Sequence, residues 1–206
     1  MSALARKQVE FYFDFGSPTA YLAYTQLPKI TAAHDAEIVW RPMLLGGVFK
    51  GAGNQSPVMV TLKGLWMWND MDLWARRYGV PLLKNPHFII NTLTLMRIAV
   101  GLQMRKPDLF PRYVETMFHA MWVEPCNLGD AAVVAETLQK AGFDAPALAA
   151  LAADPEVKAK LIDVTDAAVK RGVFGAPTMF VGSDMFFGQD RLEFVREALL
   201  LNLEGG

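Results

Sequence analysis

The run "FYFDFGSPTAYLAY", residues 11 to 24, constrains this chain most: an aromatic-rich, strand-forming stretch stops at Gly16-Ser17-Pro18 and passes into a helix without a spacer. Pro18 stands at a first helical position, where its fixed φ suits the helix and its missing N–H costs nothing. Ser17 stands where an N-cap belongs. Residues 8 to 15 therefore read as a strand buried on at least one face, and Pro18 to about Ala33 as the helix. "AEIVWRPM" is a second short strand ended by Pro42, and a right-handed crossover makes the two strands parallel neighbours in one sheet.

From Leu45 the chain reads as a Gly-rich loop, "LGGVFKGAGNQSP", followed by a long helical region without a convincing strand. One helix ends at "ARRYG" with Gly79 as its C-cap, and another follows Asn91 and stops before Pro107. Asp108, Asp130 and Asp154-Pro155 open further helices, the last closing at Gly172. "PTMFV", Gly182-Ser183-Asp184 and "MFFG" then read as a β-hairpin, and "QDRLEFVREALLLNL" as a closing helix with apolar residues at 192, 195 and 199. The order is β-α-β, helical block, β-β-α. It suits one domain, or one domain carrying an insertion.

With 206 residues, 52% of them hydrophobic, the chain can bury a sizeable core. A formal charge of −1 and a pI near 6.3, with scattered Lys and Arg, argue for a small-molecule ligand and against nucleic acid. No apolar run approaches the roughly 20 residues that span a bilayer, and "MSALARKQVEF" lacks the apolar core of a secretory signal. The expected location is the cytoplasm, with no membrane contact. One cysteine, Cys126, excludes an internal disulfide and a Cys-x-x-Cys pair. It reads as a passive thiol, so sulfur chemistry here has to use a thiol from another molecule.

Three segments carry candidate chemistry. Ser17 can simply cap its helix, or its hydroxyl and the helix N-terminus can together hold an anion. A nucleophilic role is disfavoured, because no Gly-x-Ser-x-Gly elbow surrounds it and His34, His87 and His119 are not placed as its base. Pro177, in Gly175-Ala176-Pro177-Thr178, can mark an ordinary turn; alternatively, a cis bond there would turn the backbone of Ala176 outward to pair with an extended peptide. Asp190, in "FFGQDRL", can be another N-cap or can face the ammonium of an α-amino acid whose carboxylate meets backbone N–H groups. Lys50, Asn54 and Lys63, taken singly, read as solvated surface residues.

Together "FYFDFGSPTAYLAY", "WRPMLLGGVFKGAGNQSP", "KGLWMWND", "AMWVEP", "RGVFGAPTMFVG" and "MFFGQDRL" resemble, in this order and spacing, the 2-hydroxychromene-2-carboxylate isomerase family, related to the kappa-class glutathione transferases. The resemblance implies an α/β, thioredoxin-like fold of the DsbA type, with a discontinuous thioredoxin-like domain over residues 1–45 and 173–206 and an all-helical domain over 46–172 inserted between its β-α-β and β-β-α halves, a homodimer and bound glutathione. It implies that Ser17 contacts the glutathione sulfur, that Ala176 before a cis Pro177 pairs with the cysteinyl unit, and that Gln189, Asp190 and Arg191 hold the γ-glutamyl end. Asn54 and Lys63 match glycyl-end or inter-helix contacts, Lys50 matches a residue suited to the organic carboxylate, and Asn91 and Trp122 match pocket-lining positions. The implied reaction is glutathione-dependent cis-trans isomerisation of 2-hydroxychromene-2-carboxylate and trans-o-hydroxybenzylidenepyruvate through a thiolate adduct. The alternatives are a kappa-type transferase or peroxidase that consumes glutathione, and a non-catalytic thiol or peptide-binding module. Disulfide oxidoreduction is disfavoured, since Ser17 and Tyr21 leave no cysteine on the first helical turn.

Overall fold

A computed structural model describes residues 7–201. The chain start weighed above for a signal, and the last two positions of the expected closing helix, lie partly or wholly outside these residues. β1 (Lys7–Phe13), α1 (Pro18–Ala33) and β2 (Ala36–Pro42) form the expected unit, with the two strands parallel and Phe11 opposite Trp40. β3 (Thr178–Val181) and β4 (Asp184–Phe187) form the expected hairpin, and β3 pairs antiparallel with β1, so the sheet order is β2-β1-β3-β4. The β-α-β unit and the hairpin thus meet at the centre of one sheet through β1 and β3, and the residues between Pro42 and Thr178 form helices, turns and loops.

Alternation along β1 decides how that sheet is covered. Phe11 and Phe13, followed by Phe15, point to the larger core, where Phe118 sits 5.8 Å from the Phe13 ring and 5.0 Å from the Phe15 ring. Phe118 belongs to α5 (Phe110–Trp122), which packs against α1. Tyr12 points to the other face, into a smaller cluster with Val48, Ala168 and Phe180. Both faces are therefore buried, which is why the strand is nearly continuous in aromatics.

The smaller cluster corrects one expectation. Residues 45–51 form a helix, α2 (Leu45–Gly51), where the sequence suggests a loop. Its glycines serve close approach: a Cβ at Gly47 would lie 3.0 Å from Thr165 Cγ2, and one at Gly51 3.1 Å from Val169 Cγ2. Both neighbours lie on α8 (Pro155–Lys170), so small residues let α2 press against α8 over the sheet. Only beyond it, at Gly53 with φ +64°, does a glycine supply the backbone freedom of a loop.

The remaining helices follow their punctuation. α3 (Thr61–Tyr78) ends on Gly79 in the left-handed conformation, and α4 (Leu93–Arg105) stops before Pro107. Asp108 lies within a 3-10 turn ahead of α5 and caps nothing, whereas Asp130 caps α6 (Ala131–Lys140) and Asp154 caps α8. Asp144 caps α7 (Ala145–Ala153), a short helix the pattern did not separate. α9 (Leu192–Leu201) closes the chain and buries Leu192, Val195 and Leu199. Among the described residues no helix is long and apolar enough to cross a membrane.

Candidate active site

The junction after β1 is built by one buried carboxylate. Asp14 Oδ1 accepts the Gly16 N–H at 2.8 Å, its Oδ2 accepts the Leu45 N–H at 2.8 Å, and its carbonyl accepts the Ser17 N–H at 3.1 Å. Burial pushes the Asp14 carboxyl above the ordinary 3.8, against hydrogen bonds from Leu45, Gly16 and Thr92 that favour the charged form. Asp14 thus fixes the turn into α1 and ties it to the start of α2. Gly16 fits because a Cβ there would press to 3.2 Å from Thr92 Cγ2. From behind, Trp122 Nε1–H donates to the Phe15 carbonyl at 2.8 Å.

Ser17 is the N-cap: in extended backbone, its Oγ accepts the Ala20 N–H at 3.1 Å. It also reaches across the fold, donating to the Ala176 carbonyl at 3.0 Å, and Thr19 Oγ1 donates to the same carbonyl at 3.1 Å. The Ala176–Pro177 bond is cis, as the resemblance implied. The Ala176 carbonyl faces the two hydroxyls of α1 instead of pointing freely outward, because the α1 start lies directly against it.

The hairpin end supplies the next wall. Gly188 N–H donates to the Pro177 carbonyl at 3.0 Å and adopts φ +102°, a conformation side chains rarely adopt. A Cβ there would also meet Asp190 Oδ1 at 2.4 Å. Residues Gln189–Arg191 then make a 3-10 turn, held from α3 by Tyr78, whose hydroxyl donates to the Gln189 carbonyl at 2.7 Å. Burial, and then the Asp190 charge, push the Tyr78 hydroxyl up to about 12, against the opposing charge of Arg77. Burial, and then the Asp190 charge, also raise Asp70, which lines the same end of the site from α3.

These segments enclose a cavity of about 640 Å³. Ser17, Asn54, Lys63, Ala176, Gln189, Asp190 and Arg191, all singled out in the sequence, line it. Asn54 is set by its Nδ2–H bond to the Phe174 carbonyl at 2.9 Å. Pro177 lies behind Ala176 with its carbonyl on Gly188. The cavity carries the carboxylates of Asp70 and Asp190 at one end, where Arg191 pairs with Asp190 at 2.7 Å, a second cation at Lys63, and apolar walls from Phe49, Trp66, Trp68, Phe88 and Phe187. Thr19 and Asp70 were missed in the sequence, and these aromatics were not singled out by position; the spacing of the "WMWND" stripe on α3 was the available signal, and it also reads as core.

Three expected residues lie elsewhere. Lys50 is exposed on α2 and does not line the cavity. Asn91 accepts the Leu93 N–H at 3.0 Å at the start of α4 and lines a separate cavity of about 130 Å³ between α4, α6 and α7. Trp122 is fully buried and supports the aromatic wall from behind, its ring 5.9 Å from Phe88. Cys126 lines neither cavity and directs its Sγ to the Ala120 carbonyl, in keeping with a passive thiol. Among the described residues no cluster of His, Cys, Asp and Glu is arranged to hold a metal ion.

A β-α-β/β-β-α frame, a cis proline facing the first helix and an inserted helical block define a thioredoxin-like protein of the DsbA type. The chain matches the DSBA-like thioredoxin domain family over residues 8–200. It is 33% identical over 199 residues to a 2-hydroxychromene-2-carboxylate isomerase of Sphingobium xenophagum, covering 94% of this chain and 98% of that one. It is 28% identical to glutathione S-transferase kappa 1 of Rattus norvegicus, covering 93% and 90%. A solved 2-hydroxychromene-2-carboxylate isomerase structure superimposes with a TM-score of 0.83 at 29% identity, over 95% of this chain and 96% of that one. This chain belongs to the DsbA-like thioredoxin family, in its branch of 2-hydroxychromene-2-carboxylate isomerases and kappa-class glutathione transferases.

Proposed function

We propose that this chain binds glutathione in the 640 Å³ cavity and uses it, unconsumed, to interconvert 2-hydroxychromene-2-carboxylate and trans-o-hydroxybenzylidenepyruvate. The observation that carries the reading is the Ser17 hydroxyl at the N-terminus of a 16-residue helix, lining a cavity with acidic and basic ends and no protein thiol. The donor set fits a γ-glutamyl tripeptide: Asp70, with Asp190 beside its partner Arg191, suits an ammonium, Lys63 and Asn54 a carboxylate, and the start of α1 an anionic sulfur. When bound, glutathione supplies a nucleophilic thiolate. Ser17 and the first turn of α1 hold that charge, the aromatic walls exclude water and stack a planar ring, and Lys63 neutralises a carboxylate.

Conversion of a chromene carboxylate that requires glutathione and leaves its concentration unchanged supports this reading; steady consumption of glutathione selects the transferase reading, which the kappa-class relatives favour. Failure to bind glutathione in a calorimetric titration overturns both. The reading places the protein in a reducing cytoplasm, where a free thiol persists.

The protein is further proposed to pair as a homodimer. Leu62, Leu65 and Trp66 stand 57 to 81% exposed on one stretch of α3, with Met59 and Val60 just before it, an apolar surface of the kind partners cover. Sedimentation at the mass of one 22.8 kDa chain would refute this.

A further inference from the structure

Two hydroxyls, not one, converge on the Ala176 carbonyl. Ser17 Oγ lies 3.0 Å from that oxygen, Thr19 Oγ1 3.1 Å from it, and the two hydroxyl oxygens 3.0 Å from each other. A hydroxyl has one proton to donate, and a carbonyl has two lone pairs to fill. Ser17 already accepts the Ala20 N–H, so its own proton is its only remaining means of reaching an anion. Turning that proton into the cavity would strip the Ala176 carbonyl of a donor if Ser17 were its sole partner. Thr19 removes that conflict: it stays on the carbonyl while the Ser17 proton swings away.

We infer that Thr19 is a positioning residue that frees the Ser17 hydroxyl to donate to an anion at the start of α1. It holds the Ala176 carbonyl in both arrangements, so that oxygen keeps a donor when the Ser17 proton turns to the anion. The inference rests on the glutathione reading above and concerns how the chain stabilises a bound thiolate. Thr19 itself is carried on the first helical turn and lines the cavity, so its hydroxyl needs no movement of the backbone to play this part.

The experiment titrates the ultraviolet absorbance of the thiolate in bound glutathione against pH, with affinity measured separately by calorimetry. Thr19→Val keeps the side-chain shape and removes the hydroxyl. It is expected to lower the acid dissociation constant of the bound thiol about three- to tenfold, a rise of roughly half to one pKa unit. Thr19→Ala should give the same shift, and Thr19→Ser should restore the wild-type midpoint. Because Thr19 acts through Ser17, adding Thr19→Val to Ser17→Ala should produce no further shift. A shift that persists in the Ser17→Ala background makes Thr19 a direct donor and overturns the inference, as does a wild-type midpoint in Thr19→Val. A wild-type protein that leaves the glutathione thiol at its solution pKa overturns the glutathione reading together with this inference, which separates the two failures.

Discussion

Replacing Ser17 with alanine is expected to cut turnover at neutral pH about tenfold and to restore much of it at higher pH. A free thiol has a pKa near 8.5, and lowering it by about two units takes ~2.7 kcal/mol of preference for the thiolate. The N-terminus of α1 contributes up to ~2 kcal/mol, and a hydrogen bond to a charged group about 1.5–3 kcal/mol. Losing the hydroxyl therefore raises the bound thiol by about one to two units. At pH 7 a midpoint moved from ~6.5 to ~8 takes the thiolate from roughly three quarters of the population to about a tenth. The sign is fixed: the deficit is largest below the variant's midpoint and vanishes above it. The same substitution removes the N-cap bond to Ala20, costing about 0.5–2 kcal/mol of stability, but capping alone leaves the thiol midpoint unmoved. Full turnover at neutral pH, or an unshifted midpoint, would remove the hydroxyl from the chemistry.

Asp14→Ala is expected to cost about 2–4 kcal/mol of folding stability, the sum of two partly buried N–H groups left without acceptors. Those groups belong to Gly16 and Leu45, so glutathione affinity should fall with stability as the turn into α1 loosens. Asp14→Asn keeps one acceptor oxygen and should lose about half as much. The measurement is the denaturant midpoint at unchanged slope; a loss below about 1 kcal/mol would show that water takes over the two donors. The pH dependence also has a definite sign. Burial raises this carboxyl above 3.8 in the folded protein, so its contribution is fully present below 3.8 and is lost as pH rises through the folded value. Asp14→Ala should erase that acid-side component.

The legible part of the fold was written in local chemistry. Gly79, Asp130 and Asp154-Pro155 mark helix ends because capping groups act within a turn of themselves, and the structure keeps all three where the sequence put them. The α2 segment was illegible for a related reason: glycine signals both backbone freedom and close approach. Only the position of Thr165 and Val169, more than a hundred residues away on α8, shows which meaning applies at Gly47 and Gly51. Asn91 and Trp122 show the same limit at the site. Each sits near the expected helix, yet one faces a separate cavity and the other is sealed behind Phe88.

By itself the sequence determined the strand-to-helix stop at Gly16-Ser17-Pro18, the coarse order of β-α-β, helical block and β-β-α, and the lack of a cysteine where the wider fold could use one. These follow from rules that span a few residues, or from a count. The tertiary structure alone decided that Ser17 and Thr19 share the carbonyl of Ala176, 159 and 157 residues away, and that Asp70 and Asp190 line one cavity. Such meetings depend on how β1 and β3 pair at the centre of the sheet and how α3 packs beside them. Each is the sum of many weak contacts, and no short stretch of sequence contains it.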